Sequence, residues 1–141
     1  MGRTYQSIVV KAPLERVWKA IRDFHDISWA PGVVTKVTAV GKPKGNQIGA
    51  KRVINDAFHE TLLELSEVEH RVRYSIDDGP SPVSSKEVKN YIGDLHLLPV
   101  TEGKATFVEW ASSWEAKNNA AEEFCHTIYV ALLNELKKKF S

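Results

Sequence analysis

Arg52, Glu60 and Tyr91 are the one evident set of side chains in this sequence that could exchange protons with a bound molecule. Arg52 and Glu60 lie equally far from Asp56, so a hairpin centred there would place them directly across from each other. A pair of opposite charges tolerates partial burial that neither ion would tolerate alone. The three residues could therefore orient a bound molecule or supply an acid and a base to it.

Other kinds of chemistry have no residues to carry them. The sequence has no glycine-rich phosphate loop, no nucleophile elbow and no group of histidines and cysteines at the spacing of metal ligands. Its single cysteine, Cys125, falls within an apolar helical stripe, which is typical of a core thiol. We therefore expect no metal and no cofactor, and we favour a binding role over an enzymatic one.

The balance of charge limits the partners. Nineteen basic and eighteen acidic residues give a formal net charge of +1, and the charges are interspersed apart from a C-terminal lysine run at 137–139. Nothing here indicates nucleic-acid binding. No apolar stretch approaches ~20 residues, and the N-terminus lacks the pattern of a signal peptide. We expect one cytoplasmic domain spanning residues 1–141, monomeric and not embedded in a membrane.

The first quarter of the chain alternates strand and helix signals. Residues 4–12 predict a strand, and Pro13 suits the first position of a helix. The apolar residues that follow have the spacing of an amphipathic helix: Leu14, Val17, Trp18 and Ile21. A second short helix or turn is expected over 24–29, ending at Pro31.

The rest of the chain predicts a sheet and one long helix. Six β-like runs follow: "VVTKVTAV", "GAKRVIND", "HETLLELSE", "RVRYSID", "NYIGDLHLLPV" and "ATFVEWASSWEA". A helix is expected over 119–140, with Asn119 as its cap and Glu122 completing a capping box. The order predicts an α+β fold, in which a seven-stranded antiparallel sheet wraps around the C-terminal helix and two short helices follow the first strand.

A helix covers a concave sheet incompletely, so this architecture favours a cavity between them. Alternation along the last three strands, and the apolar stripe of the helix, predict the residues that line it: Tyr74, Tyr91, Leu95, Trp110, Ser112, Trp114, Phe124, Ile128 and Leu132. Strict alternation on "HETLLELSE" places Thr61, Leu63 and Leu65 inward and leaves Glu60 in water.

Several of these stretches together resemble a known superfamily. "APLERVWKAIRDFHDISWAPGVV", "HETLLEL", "NYIGDLHLLPV" and "FVEWASSWEA" are similar to the START-like, or SRPBCC, helix-grip domains, in particular the bacterial polyketide cyclase/dehydrase and lipid-transport type. The resemblance implies a helix-grip fold. It also implies that the W-x-P turn lies near the cavity mouth, where Trp29 would close one rim. A simple hydrophobic contact between turn and helix is the other interpretation of Trp29.

A narrower resemblance bears on the polar residues. "ETLLELSEVEHRVRYSI" is similar without gaps to a segment of the plant abscisic-acid receptors, which implies that Glu60 faces the cavity, against the alternation. By the same likeness "GAKRV" implies Arg52, "NY" implies Tyr91, and Lys36 matches a lysine that holds the ligand carboxylate. The short "NDAF" turn and the long "DGPSPVSSKEVK" loop depart from the receptors' gate and latch sequences, so hormone sensing is not expected.

Three functions stay open at this point. The first, which we prefer, is binding or transport of a small hydrophobic ligand such as a lipid, an isoprenoid or an aromatic polyketide. The second is a polyketide cyclase, aromatase or dehydratase that uses the same cavity, and the third is a protein-interaction module with a filled core. A large apolar cavity favours the carrier, buried polar groups favour the enzyme, and a filled cavity favours the interaction module.

Overall fold

The computed structural model describes residues 1–141 and has a seven-stranded antiparallel sheet and two helices. The helices are α1 (Leu14–Ile21) and α2 (Ala120–Lys139). The strands are β1 (Gly2–Val10), β2 (Val37–Val40), β3 (Lys51–Ile54), β4 (Phe58–Ser66), β5 (Arg71–Asp78), β6 (Val88–Pro99) and β7 (Thr106–Ala116). The predicted α+β class, the seven strands and the long C-terminal helix are confirmed.

The strands form a meander that the first strand completes. The order across the sheet is β1-β7-β6-β5-β4-β3-β2, so β1 pairs with β7 and the other neighbours follow the chain. The inner face of the sheet is apolar and α2 covers it with Cys125, Tyr129, Leu133 and Leu136, which are all buried. Neither helix combines the length and the apolar composition needed to cross a lipid bilayer.

The predicted second short helix does not form. Only α1 lies between β1 and β2, and the segment over 24–29 is a series of turns. The side chain of Asp23 accepts a hydrogen bond from the backbone N–H of His25, and Asp26 accepts one from Ser28, both at 2.9 Å. These local bonds offer the backbone a partner that competes with a helix, which explains the difference.

The predicted capping box at the start of α2 is also absent. Asn119 occupies the N-cap position, but its φ of −102° and ψ of 18° lie outside the extended conformation that capping requires, and its side chain makes no capping bond. Asn118 accepts from the N–H of Ala120 instead, at 2.9 Å. Glu122 accepts from the N–H of Arg3, so its carboxylate joins the helix to β1.

A β-bulge in β4 overturns the strict alternation predicted for that strand. Leu62 pairs with Tyr74 and Glu64 with Arg73, which leaves Leu63 as an extra residue. Leu62 and Leu65 therefore both face the core, although they are three positions apart, and Leu63 points to solvent. The same shift turns Glu60 inward, where it is 6% exposed.

A second bulge, in β6, interrupts the alternation between Val88 and Tyr91. Lys89 pairs with Glu115 and Ile92 with Ser113, so β6 has one residue more than β7 across this interval. Asn90 adopts a left-handed φ of 53°, a conformation that asparagine tolerates better than most residues. Val88 and Tyr91 are consequently both buried, on either side of the bulge.

The bulge at Leu63 can be tested by comparing two neighbouring leucines. Leu62 is 1% exposed and Leu63 is 43% exposed. We expect Leu62→Ala to lower the free energy of unfolding by about 2–5 kcal/mol, because it opens a space in the core. Leu63→Ala should lower it by less than about 1 kcal/mol. Urea titration of both variants measures this, and a larger loss at Leu63 would contradict the observed register.

Candidate functional site

A cavity of about 220 Å³ lies between the inner face of the sheet and α2. Twenty of its twenty-four lining residues are hydrophobic. They come from α1 and the turns after it, from β3 to β7, from the loop between β5 and β6, and from α2. The volume is slightly below the range of about 300–1,000 Å³ typical of small-molecule sites. The cavity has room for a small apolar molecule. The filled core expected for a protein-interaction module is therefore not present.

Ten of the thirteen residues predicted from the sequence line this cavity: Trp29, Arg52, Glu60, Tyr74, Tyr91, Leu95, Trp110, Phe124, Ile128 and Leu132. Lys36, Ser112 and Trp114 do not line it. Trp29 is 5% exposed, and its ring centroid lies 6.4 Å from that of Trp110. The indole of Trp29 thus forms part of the cavity wall and packs against Trp110 of β7, which is a strand and not a helix.

Lys36 lies outside the cavity, in contrast to the lysine implied by the receptor resemblance. Its Nζ is 3.1 Å from a carboxylate oxygen of Asp56 on the protein surface, and its side chain is 59% exposed. Asn55 and Asp56, both with left-handed φ near 55°, form the tight turn between β3 and β4 that brings this carboxylate to the lysine. The ion pair keeps the charge in water, where its desolvation cost is small.

Ser112 and Trp114 form a layer behind the cavity wall. The Trp114 ring stacks on that of Tyr91, with centroids 5.2 Å apart and planes 3° from parallel. Its indole nitrogen is buried without a hydrogen-bond partner, and the ring packs so closely on Gly2 that no side chain would fit there. Both residues face inward as predicted, but they support the tyrosine rather than contact the empty space.

Three tyrosine hydroxyls meet at the deep side of the cavity. The hydroxyl of Tyr129 lies 2.9 Å from that of Tyr74 and 2.6 Å from that of Tyr91. The indole N–H of Trp110 donates to the Tyr74 hydroxyl at 3.0 Å, and the Tyr91 hydroxyl donates to Ser112 at 3.1 Å. We call Tyr74, Tyr91 and Tyr129 the tyrosine cluster. Its hydroxyls satisfy one another, as buried polar groups must.

The hydrogen bonds of the tyrosine cluster continue to the protein surface. Ser112 Oγ lies 2.6 Å from the hydroxyl of Thr4, which also receives a long bond from the amide of Gln6. Gln6 Oε1 lies 2.8 Å from Nδ1 of His126 on the outer side of α2. A connected set of polar groups therefore runs from the cavity wall through β7 and β1 to the helix surface.

Burial keeps the tyrosine cluster protonated. It raises the pKa of Tyr74, Tyr91 and Tyr129 well above the ordinary value of a phenol, because an ionised oxygen would lose its solvation. The neighbouring hydroxyls add to this effect through unfavourable interaction between the charged forms. At neutral pH these groups are hydrogen-bonding hydroxyls and not phenolate bases.

Arg52 and Glu60 form a buried ion pair at the cavity wall. They are direct partners across β3 and β4, as the predicted hairpin requires. Arg52 Nε donates to Glu60 Oε1 at 2.8 Å, and its Nη2 lies 2.7 Å from the same oxygen. Arg52 Nη1 donates to the carbonyl of Phe24 at 2.8 Å, and the guanidinium lies 3.7 Å from the centre of the Phe24 ring. Burial raises the pKa of Glu60, while Arg52 opposes that shift.

Two residues of the site were not singled out by the sequence. Gly93 lies beside Tyr74 in the sheet, and a Cβ at this position would collide with the tyrosine ring. A glycine in the interior of a strand indicates such a close approach, so this signal was available. Tyr129 belongs to the buried face of α2, and nothing in the sequence of that helix shows that its hydroxyl meets two others.

Comparison with known proteins assigns the chain to a family. Residues 1–141 match the family described as "Polyketide cyclase / dehydrase and lipid transport". No curated protein matches the chain. A structure of a protein from Nitrosospira multiformis is 51% identical, with a TM-score of 0.97 over 99% of this chain and 96% of that one.

More distant structures share the fold. A Thermobifida fusca protein is 26% identical, with a TM-score of 0.83 over 99% of this chain and 93% of that one. Ginseng major latex-like protein 151 from Panax ginseng is 13% identical, with a TM-score of 0.76 over 99% and 97% of the two chains. At this identity the last likeness concerns the fold alone.

We expect the buried hydroxyl of Tyr129 to contribute more to the free energy of unfolding than an exposed tyrosine hydroxyl does. Tyr129→Phe removes one group that bonds to two buried hydroxyls, so it should lower the free energy of unfolding by about 1–3 kcal/mol. Tyr5 provides the matched control, since its hydroxyl donates to Glu109 at 2.8 Å but the residue is 57% exposed. Tyr5→Phe should change stability by less than about 0.5 kcal/mol. Equal losses in denaturant titrations would show that the tyrosine cluster contributes nothing beyond packing.

Proposed function

Because the chain belongs to the polyketide cyclase/dehydrase and lipid transport family, within the START-like helix-grip superfamily, we propose that it binds and carries a small hydrophobic molecule. The observation that carries this proposal is the apolar cavity of about 220 Å³ beneath α2. Its deep wall is made of aromatic rings whose polar atoms already have partners. Such a wall removes apolar surface from water without leaving donors or acceptors to be satisfied.

The energy available from such a cavity is sufficient for useful affinity. At ~25 cal/mol per Å², ~200 Å² of buried ligand surface would contribute ~5 kcal/mol before ordering costs. Some lining residues keep partial solvent exposure: Val33 on a turn, Phe58 at the start of β4, and Phe124 on α2. They give a hydrophobic ligand a route in that does not require the sheet to open.

A cyclase or dehydratase remains the second candidate, and one observation favours it. Arg52 and Glu60 form a buried ionic pair in the cavity wall, and the guanidinium lies 5.6 Å from the centre of the Tyr74 ring. Charged groups at such a place suit acid/base chemistry on a bound polyketone. The raised pKa of the three tyrosines argues against a tyrosine base, so the base would be Glu60 and Tyr91 could serve only as a proton donor.

The carrier proposal predicts that apolar walls matter more for binding than single hydroxyls. Trp110→Ala and Leu95→Ala should weaken binding of the neutral fluorescent probe Prodan more than Tyr91→Phe does. The first two remove wall area, whereas the third removes one hydroxyl worth about 1 kcal/mol. Leu98→Ala is the matched control. Leu98 lies on β6, as Leu95 and Tyr91 do, but it is exposed and does not line the cavity. Fluorescence titration of the folded variants measures the order.

The enzyme proposal predicts that removing an acid or base group lowers turnover more than truncating an apolar wall residue does. A group that transfers a proton commonly supplies 10²–10⁴-fold in rate, by order of magnitude. If Tyr91→Phe and Glu60→Gln abolish conversion of a poly-β-ketone analogue while Prodan affinity is unchanged, the carrier proposal is wrong and the cyclase should replace it.

A further inference from the structure

One oxygen in the cavity wall lacks a partner. Both contacts of Arg52 go to Oε1 of Glu60, and Oε2 of the same carboxylate makes no hydrogen bond within the protein. The residue is 6% exposed and lines the cavity. The fully enclosed side-chain atoms without a partner are Asp94 Oδ1 and Trp114 Nε1, so Oε2 of Glu60 keeps surface open to the cavity it lines. It can therefore accept a hydrogen bond from a molecule in the cavity.

The cavity offers no free positive charge to a ligand. Arg52 is the one basic residue that lines it, and its three nitrogens are directed to Glu60 and to the carbonyl of Phe24. Lys36 lies outside, paired with Asp56. Asp26 adds a second carboxylate to the lining, and hydrogen bonds from Ser28 lower its pKa, so it stays ionised. An anionic ligand would face two carboxylates, and the one cation of the lining is already paired with Glu60.

A cationic ligand is also disfavoured. The guanidinium of Arg52 lies 2.7 Å from the Glu60 carboxylate and already neutralises it. A second cation at Oε2 would meet a carboxylate whose charge Arg52 already neutralises. It would also be repelled by Arg52 and would lose its own hydration. A neutral donor is not repelled by Arg52 and loses far less hydration than an ion does.

We propose that the molecule carried in this cavity is a neutral alcohol or phenol whose hydroxyl donates a hydrogen bond to Oε2 of Glu60. The inference rests on the proposed carrier function and narrows its ligand class. It predicts that carboxylic acids, including free fatty acids, are not ligands of this cavity. It also separates the chain from binding modes in which a lysine holds a ligand carboxylate, because Lys36 does not reach the cavity.

Three naphthalene probes of similar apolar area test the proposal on the full chain at neutral pH. These are 2-naphthol, which is a neutral donor, 2-methoxynaphthalene, which lacks the donor, and 2-naphthoate, which is an anion. We expect isothermal titration calorimetry to give an affinity for 2-naphthol about tenfold or more above that for the ether, as for a hydrogen bond to a charged acceptor. The naphthoate should bind most weakly.

Glu60→Gln distinguishes a direct contact from a structural role. The amide oxygen can still accept from Arg52, while the –NH₂ group replaces Oε2 and turns the acceptor into a donor. The preference for 2-naphthol over the ether should then vanish or reverse. If Glu60 only held Arg52 in place, the variant would weaken all three probes by a common factor. Glu109→Gln, on the outer face of β7, is the control and should leave the order unchanged.

The outcomes separate this inference from the carrier proposal. Equal binding of naphthol and ether by the unmodified chain, or tightest binding of the naphthoate, overturns the neutral-donor inference and leaves the carrier function standing. If none of the three probes binds, the carrier proposal fails and the inference fails with it. The order of the three affinities in the unmodified chain decides the matter even if Glu60→Gln does not fold.

Discussion

The hydroxyl of Tyr129 fixes the depth at which α2 lies over the sheet, and the cavity depends on that depth. It bonds to Tyr74 on β5 and to Tyr91 on β6, so one residue of the helix is held by two strands. Hydrogen bonds of this kind are directional and are strong in a medium of low dielectric constant. The helix therefore has a defined position over the curved sheet, and space remains beside Phe124, Ile128 and Leu132.

The polar groups of the interior divide into two sets with different roles. The tyrosine cluster and the side chains behind it satisfy one another and leave an apolar surface toward the cavity. The Arg52 and Glu60 pair is also neutral as a unit, but its geometry is asymmetric, since one oxygen takes both contacts of the guanidinium. This asymmetry gives a mostly hydrophobic space one polar point, which is the usual basis of orientation in small-molecule sites.

Much of the fold could be predicted from the sequence, since periodic patterns extend over long elements. The seven strands, the long helix, the pairing of Arg52 with Glu60 and the inward faces of β6 and β7 all follow from alternation and turn position. The inward position of Glu60 did not follow from alternation, because a single bulged residue reverses the pattern in β4. The resemblance implied that both Glu60 and Lys36 face the cavity; Glu60 lines it, whereas Lys36 pairs with Asp56 at the surface. The supporting position of Trp114 depends on the neighbouring ring of Tyr91, which strand periodicity does not encode.

The bulge at Leu63 also ties the charge of the interior to the number of residues in β4. Deleting one residue there would restore an even repeat and rotate Glu60 out to solvent, while Arg52 on the neighbouring strand would still point inward without its counter-ion. Insertions and deletions in this strand are thus linked to substitutions in β3. The length of β4 and the charge at Arg52 in β3 are thus physically coupled.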